Sequence, residues 1–155
     1  MGDLTVAENL GLTMLRQSGL NRGFLIDRAA LRKRAEAAIA AYSIAGAAPN
    51  RTSRLLSGGN AQKLILAREI DPDLTVLVAH SPTRGLDVKA CLFVHQAIKA
   101  CVEAGAACLL ISEDLEEVLS LSTRVAVMCA GRIAGEMPVG EATPERIGKL
   151  MMGHV

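Results

Sequence analysis

Residues 56–63 read LSGGNAQK, the most informative stretch of the sequence. Its two glycines let the backbone approach a ligand closely and adopt positive φ. A helix is expected to begin at Ser57 or Gly59 and to run to about Ile70, so that its free N–H groups and the positive end of its dipole face the loop. Together with the Ser57 hydroxyl, these groups suit an anion such as a terminal phosphate. Taken alone, the Ser-Gly-Gly triplet is better explained by an ordinary turn and N-cap.

A longer pattern around the loop is far more specific than the triplet. The chain matches L-S-G-G-N-x-Q-K-x-x-x-A-R-E over 56–69, reads PTRGLD at 82–87 and reads LTVAENL at 4–10. In this order, these strings resemble the signature loop, the D-loop and the opening of the helical subdomain of ATP-binding-cassette (ABC) ATPases. Residues 22–24, 82–88, 110–115 and 147–153 resemble the second cassette of the subunit that serves importers of simple sugars and nucleosides. The resemblance covers essentially the whole chain.

Apolar periodicity and capping residues predict the order of the elements. Two helices precede residue 56, over 3–20 and from an Asp27 N-cap through Tyr42. The later elements are a strand at 74–79, a helix from Asp87 to about Ala104, a strand at 107–111, a short helix capped by Ser112, a hairpin of 124–129 with 132–137 and a helix opened by 143–145. The apolar-leaning face of the helix after Asp87 is expected to hold Val88, Cys91, Leu92, His95, Ile98 and Val102.

Apolar strands that alternate with helices indicate a mainly parallel sheet with flanking helices. With the resemblance, the predicted fold is α/β: an incomplete P-loop NTPase fold of the ABC ATPase type. We expect a helical subdomain at 1–56, ending at the signature loop. Residues 57–155 are expected to form an α/β portion that holds the signature helix, the Walker B strand, the D-loop, the switch region and the C-terminal hairpin and helix.

The hydrolytic residues of the family are missing or altered. The pattern G-x-x-x-x-G-K-[ST] is absent, and the family's Q-loop and base-stacking aromatic lie upstream of its helical subdomain. The resemblance implies an Asp-Glu pair, for Mg²⁺ and the attacking water, where this chain has His80 and Ser81. It implies a switch histidine where this chain has Glu113. We therefore expect no intact hydrolytic site; His80 as a general base is a weaker interpretation than a structural role.

The resemblance also implies how the remaining loops act. Two cassettes of the family close head to tail around two nucleotides, and the signature loop of one completes the P-loop site of the other. The residues expected to contact a partner's nucleotide are Ser57, Gly58, Gly59, Asn60 and Gln62, and those expected at the D-loop interface are Gly85, Leu86 and Asp87. The implied ligands are ATP and Mg in the complete assembly, with neither bound tightly by this chain alone. The implied partners are a P-loop-bearing cassette and permease subunits, at the cytoplasmic face of the membrane.

Charge and composition disfavour several other functions. The net charge is +1, so no strong field indicates nucleic acid, and Arg28, Arg32, Lys33 and Arg34 are most simply the solvated side of a helix. None of the four cysteines forms a C-x-x-C pair, so buried thiols in a reducing compartment are favoured over disulfides or a metal site. The longest apolar runs are too short to span a bilayer, and the N-terminus shows no signal pattern.

Two alternatives remain open at this point. ABC-type ATPases of DNA repair also carry such a loop, but they join their halves through a long coiled coil, and no sustained heptads precede residue 56. A non-catalytic regulatory or remnant interaction module is compatible with the same residues. A sheet without the upstream strands would leave edges and an apolar face open, so we also expect self-association.

Overall fold

The computed structural model describes residues 2–14, 21–22, 25–71 and 73–153. The end of the first predicted helix, at 15–20, and Gly23-Phe24 of the family resemblance lie outside the described residues. The elements are α1 Val6–Met14, β1 Asn21–Arg22, β2 Leu25–Ile26, α2 Arg28–Ala41, α3 Gly58–Glu69, β3 Val76–His80, α4 Val88–Glu103, β4 Ala107–Ile111, α5 Leu115–Leu121, β5 Arg124–Cys129, β6 Arg132–Pro138 and α6 Pro144–Met151. Short 3₁₀ turns occupy Ser53–Leu55 and Val139–Glu141.

Side-chain caps fix where most helices begin. The carboxylate of Asp27 accepts from two backbone N–H groups of α2 at 3.0 Å each, and that of Asp87 accepts from Ala90 N at 2.8 Å. Thr143 caps α6, which begins with a proline at its first position. These three starts are as predicted. The start of α5 is not, because Asp114 is its N-cap, while the Ser112 hydroxyl only accepts from Asp114 N at 3.1 Å.

The chain divides into two compact units, of which the first comprises Met1–Leu77 and Thr83–Ala107. Its core is built by α1, α2 and α3, where side chains at helical spacing meet. The buried members are Val6, Leu10, Ala35, Ile44, Leu64 and Ala67. Helix α3 also packs against α4. The predicted domain boundary at residue 56 lies inside this unit. It stays a prediction.

The second unit comprises Val78–Pro82 and Cys108–Val155. Its main element is the antiparallel hairpin of β5 and β6, with Ala130 (φ 47°) and Gly131 (φ 75°) at the turn. Two consecutive residues with positive φ form a type I′ turn, whose twist matches that of paired strands. Helix α6 packs on this hairpin, and the buried cluster holds Val125, Val127, Met137, Ala142 and Ile147.

Strands β3 and β4 form a parallel pair. Ala107 N donates to Thr75 O at 2.9 Å at one end of the pair, and Ser81 N donates to Ile111 O at 2.7 Å at the other. The two strands therefore run in the same direction. The α/β class with a parallel ladder is therefore confirmed. The ladder has two strands within the described residues, and the hairpin of β5 and β6 is antiparallel.

The buried face of α4 differs from the predicted one. Val88, the first residue of the predicted stripe, is 77% exposed, and Leu92 and Val102 are exposed as well. Ile98 is buried as predicted, and the other buried residues are Ala90, Val94 and Cys101. Because α4 carries apolar residues on most of its sides, the periodicity does not choose between them, and the face that approaches α3 is the buried one.

Candidate functional site

The start of α3 presents a set of unused hydrogen-bond donors. Ser57 is its N-cap, in an extended conformation, and the first backbone bond of the helix runs from Ala61 N to Ser57 O at 2.8 Å. Among the described residues, the backbone N–H groups of Gly58, Gly59 and Asn60 have no acceptor. Three free N–H groups at the positive end of a 12-residue helix form a site for an anion.

The two glycines of the loop have different surroundings. Neither adopts the positive φ that glycine permits. A Cβ placed on Gly59 would lie 3.1 Å from the Cβ of Ala90, so this glycine lets α3 and α4 approach closely. A Cβ placed on Gly58 would meet no atom within 4 Å. The fold itself therefore gives no reason for glycine at position 58.

Polar side chains tie the first turns of α3 to the segment after α2. Asn60 Nδ2 donates to Ser57 Oγ, and Ala45 N donates to Asn60 Oδ1, both at 2.9 Å. Lys63 Nζ donates to Ser43 O at 3.0 Å and lies 4.7 Å from the ring centroid of Phe93. The sequence showed a serine and an asparagine three residues apart, but it gave no sign that Ala45 would be the second partner. Ser57 and Gly58 are exposed, and Gln62 is half-buried on α3.

The D-loop residues lie in the same compact unit as the signature loop. Gly85 has φ 74°, where a side chain would be strained, and Leu86 N closes a turn to Thr83 O at 3.1 Å. The Asp87 carboxylate is engaged as the N-cap of α4. Because Gly59 lies against Ala90, the starts of α3 and α4 are neighbours. The structure thus brings the signature loop and the helix that follows the D-loop together.

The residues predicted to stand at altered hydrolytic positions, His80, Ser81 and Glu113, lie in the other unit, at the carboxyl ends of β3 and β4. Ser81 has φ 46°, and its bond to Ile111 O places it beside the segment that leads to Glu113. His80 and Glu113 are exposed, while Asp114 is engaged as the cap of α5. Among the described residues, no group of three His, Cys, Asp or Glu side chains is arranged to hold a metal ion. Mg²⁺ prefers several oxygen ligands, and His80 and Ser81 supply no carboxylate at the end of β3, so these two residues are a poor match for it.

Comparison with curated proteins identifies relatives over nearly the whole chain. The glucose import ATP-binding protein TsgD13 of Haloferax volcanii is 41% identical over 154 residues, which are 98% of this chain and 28% of that protein. The ribose import ATP-binding protein RbsA 1 of Streptomyces avermitilis is 42% identical over 145 residues (94% and 27%). The guanosine import ATP-binding protein NupO of Bacillus subtilis is 38% identical over 151 residues (97% and 30%). This chain is related to the ATP-binding proteins of sugar and nucleoside importers.

The similarity covers only part of the length of these relatives. This ABC-related chain spans 27–30% of the length of these relatives. No family model matches it. The segment that is shared includes the signature loop and the D-loop, because the alignments cover at least 94% of the chain.

Solved structures show the same fold. The dimeric post-hydrolysis state of the ATP-binding cassette MJ0796 bound to ADP and Pi matches with a TM-score of 0.71 and 24% identity, over 90% of this chain and 58% of that one. A second dimeric structure of MJ0796, described as a bacterial ABC transporter cassette, matches with a TM-score of 0.70. At this identity the likeness concerns the fold alone. The chain has part of the ABC cassette fold.

Proposed function

We propose that this chain is part of the ATP-binding, ATP-hydrolysing subunit of an ABC importer for a sugar or a nucleoside. In this proposal its signature loop binds a nucleotide held on the P-loop of a partner cassette and thereby helps to energise uptake. The observation that carries the proposal is the open donor set at the start of α3, formed by the Ser57 hydroxyl and the N–H groups of Gly58, Gly59 and Asn60.

The chemistry of this donor set suits a terminal phosphate. Hydrogen bonds to charged groups contribute about 1.5–3 kcal/mol each, and a helix N-terminus adds about 0.3–1 kcal/mol for an anion at an exposed site. Donors aimed at a phosphoryl group also stabilise the charge that it carries during transfer. The open space beside Gly58 lets such a group approach the backbone. The D-loop residues Gly85, Leu86 and Asp87 are proposed to shape the interface between the two cassettes.

The hydrolytic step is assigned to the partner's site. His80 and Ser81 offer no carboxylate at the end of β3, and Glu113 is an exposed acid at the switch position. In this proposal the chain supplies binding groups across the interface, while His80, Ser81 and Glu113 do not replace the Asp-Glu pair and the histidine that the resemblance implies. We accordingly propose that the isolated chain binds Mg-ATP weakly or not at all.

The names of the relatives support the substrate class. Those proteins are described as import ATP-binding proteins for glucose, ribose and guanosine. We propose that this chain acts with permease subunits and a P-loop-bearing cassette, at the cytoplasmic face of the membrane. None of the helices in the described part of the chain is both long and apolar enough to cross a bilayer.

A chimera tests the trans role directly. The chain replaces the matching segment of the ribose import ATP-binding protein, and the ATPase rate of the purified chimera is measured with and without Ser57→Ala. We expect an active chimera whose rate falls about 10- to 100-fold on the loss of one donor to a charged phosphate. An inactive chimera, or a Ser57→Ala variant with the parent's rate, would contradict the proposed function.

Calorimetric titration with Mg-ATP tests whether the isolated chain, which lacks the P-loop pattern, binds nucleotide by itself. The expected result is no saturable heat at micromolar concentrations. Stoichiometric micromolar binding would show that the chain holds a nucleotide by itself, and the trans proposal would have to be abandoned.

A non-catalytic interaction module is the second candidate, and exposed apolar side chains favour it. Val78 on β3 and Leu109 and Ile111 on β4 are all exposed, as are Met128 and Ile133 on the hairpin. Apolar surface of this kind favours association, so self-association of the isolated chain is part of this proposal. Light scattering at increasing concentration measures it, and a strict monomer at high concentration would contradict it.

The DNA-repair alternative has less support. Among the described residues that precede the signature loop, α1 and α2 comprise 9 and 14 residues. Helical segments of this length are shorter than a long coiled coil needs.

A further inference from the structure

The side chain of Asn60 has both of its polar atoms engaged within the chain. Its amide nitrogen donates to Ser57 Oγ and its amide oxygen accepts from Ala45 N, each at 2.9 Å. A side chain whose amide is used in this way has less capacity left for a ligand than the sequence pattern implied. Its role must therefore be sought in what it does to Ser57.

The chemistry of Ala45 fixes the orientation of this amide. A backbone N–H group is a donor only, so the group of Asn60 that faces it has to be the oxygen. The amide nitrogen then faces Ser57, and because that nitrogen carries only donors, the Ser57 oxygen has to accept. No rotation of the Asn60 amide satisfies both neighbours in another way.

This arrangement leaves the hydroxyl hydrogen of Ser57 available. A serine at an N-cap normally accepts from the N–H of the second or third helical residue, but Ser57 makes no such bond. Its oxygen is occupied by Asn60, and its hydrogen has no acceptor among the described residues. The N–H groups that a capping serine would have used stay open as well. We infer that Asn60 is a positioning residue, which sets the Ser57 hydroxyl as a donor toward the phosphate of the partner's nucleotide.

The inference rests on the proposed trans function, and it adds a link to the segment between α2 and α3. Ala45 is held by Asn60, and Ser43, two residues earlier, is held by Lys63 through a separate bond. Both hydrogen bonds join α3 to the turn that holds Ser43 and Ala45. Only Asn60 also bonds Ser57, so a substitution of Lys63 provides a matched control.

A double-mutant cycle in the chimera separates positioning from direct contact. Ser57→Ala is expected to lower the ATPase rate about 10- to 100-fold, and Asn60→Ala about 3- to 10-fold, because the hydroxyl stays but loses its direction. In the Ser57→Ala background, Asn60→Ala should change the rate less than twofold. Equal losses in both backgrounds would show that Asn60 contacts the nucleotide itself and would overturn the inference. If Ser57→Ala has no effect, it is the proposed function that fails.

Two control variants test the geometry. Lys63→Met removes the other tie to the turn, and it should leave the rate within twofold of the parent; a loss equal to that of Asn60→Ala would overturn the inference. Asn60→Asp keeps an acceptor for Ala45 N but offers Ser57 an acceptor instead of a donor, which turns the hydroxyl hydrogen inward. We expect this variant to lose at least as much activity as Ser57→Ala, and parental activity would contradict the assigned direction of the bond.

NMR of the full 155-residue chain gives a readout that is independent of activity. The Ala45 amide proton should lose its downfield shift and its exchange protection in Asn60→Ala but keep both in Asn60→Asp and in Lys63→Met. An Ala45 amide that does not respond to Asn60→Ala would overturn the inference even if the chimera were inactive.

Discussion

Alanine at position 58 and alanine at position 59 are expected to act in opposite ways on stability. A Cβ at Gly58 meets no atom within 4 Å, and Ala in place of Gly in a helix is favourable by up to about 0.5–1 kcal/mol, less at the first position. Gly58→Ala should therefore leave the free energy of unfolding unchanged or raise it by up to about 0.5 kcal/mol. A Cβ at Gly59 lies 3.1 Å from that of Ala90, and both belong to helices that must move apart. Overpacking of about 1–3 kcal/mol then exceeds the helical gain and leaves a net loss of about 1 kcal/mol.

The activity of the two variants decides what Gly58 is for. If the loop receives a phosphate beside residue 58, the added methyl group occupies the approach, and the ATPase rate of the chimera should fall at least tenfold although the fold is as stable as before. Urea unfolding followed by circular dichroism gives the stability, and phosphate release gives the rate. A Gly58→Ala chimera with the parent's rate would refute the reasoning, because an open Cβ position would then have no ligand to exclude. A destabilised Gly58→Ala variant would refute the structural premise instead.

Three further outcomes follow from burial and hydrogen bonding. Leu10 is 0% exposed, so Leu10→Ala should lower the free energy of unfolding by about 2–5 kcal/mol. Leu12 is 43% exposed on the same helix, so Leu12→Ala should lower it by less than about 1 kcal/mol in the same urea titration. Hydrogen bonds from the backbone and hydroxyl of Thr5 hold the pKa of Glu8 below its ordinary value, so the stability that this carboxylate contributes is present above the unfolded-state pKa and is lost as the pH falls through the lowered one. NMR titration measures the pKa of Glu8, and a value that is not lowered would contradict the prediction. Glu8→Gln should remove this part of the pH dependence of stability. Burial raises the pKa of the Cys101 thiol, so iodoacetamide at pH 8 should label Cys101 more slowly than the three half-buried cysteines, as mass spectrometry can measure.

Features with a local physical cause could be predicted from the sequence. Asp27 and Asp87 were expected to cap helices, and both do, because a carboxylate before an apolar helical pattern has N–H groups within reach. The hairpin around Ala130-Gly131 was expected because glycine tolerates positive φ at the second turn position. The start of α3 was predicted to within one residue, because Ser57 stands directly before a helical pattern.

Features that depend on distant partners could not be predicted. The buried face of α4 was assigned wrongly because several of its faces are apolar, and the contact of Ala90 with the start of α3 involves residues about 30 positions away in sequence. Glycine permits positive φ, but neither glycine of the signature loop adopts it, which the sequence alone does not decide. The bond from Ala45 N to Asn60 Oδ1 joins a backbone group to a side chain 15 residues away. No residue pattern marks a backbone N–H group as the partner of one particular amide.

In the proposed function, the two sets of site residues have different chemical requirements. The donors at the start of α3 are mostly backbone N–H groups, which any sequence that forms this helix supplies, with Ser57 and Asn60 adding one directed hydroxyl. Hydrolysis instead needs particular side chains, and His80, Ser81 and Glu113 stand where the resemblance implies others. A phosphate held by a partner requires only the donors, so changes at the acidic positions leave that requirement untouched. The Ser57–Asn60 cycle tests this separation, because it perturbs the direction of a single hydroxyl while the helix and its N–H groups stay in place.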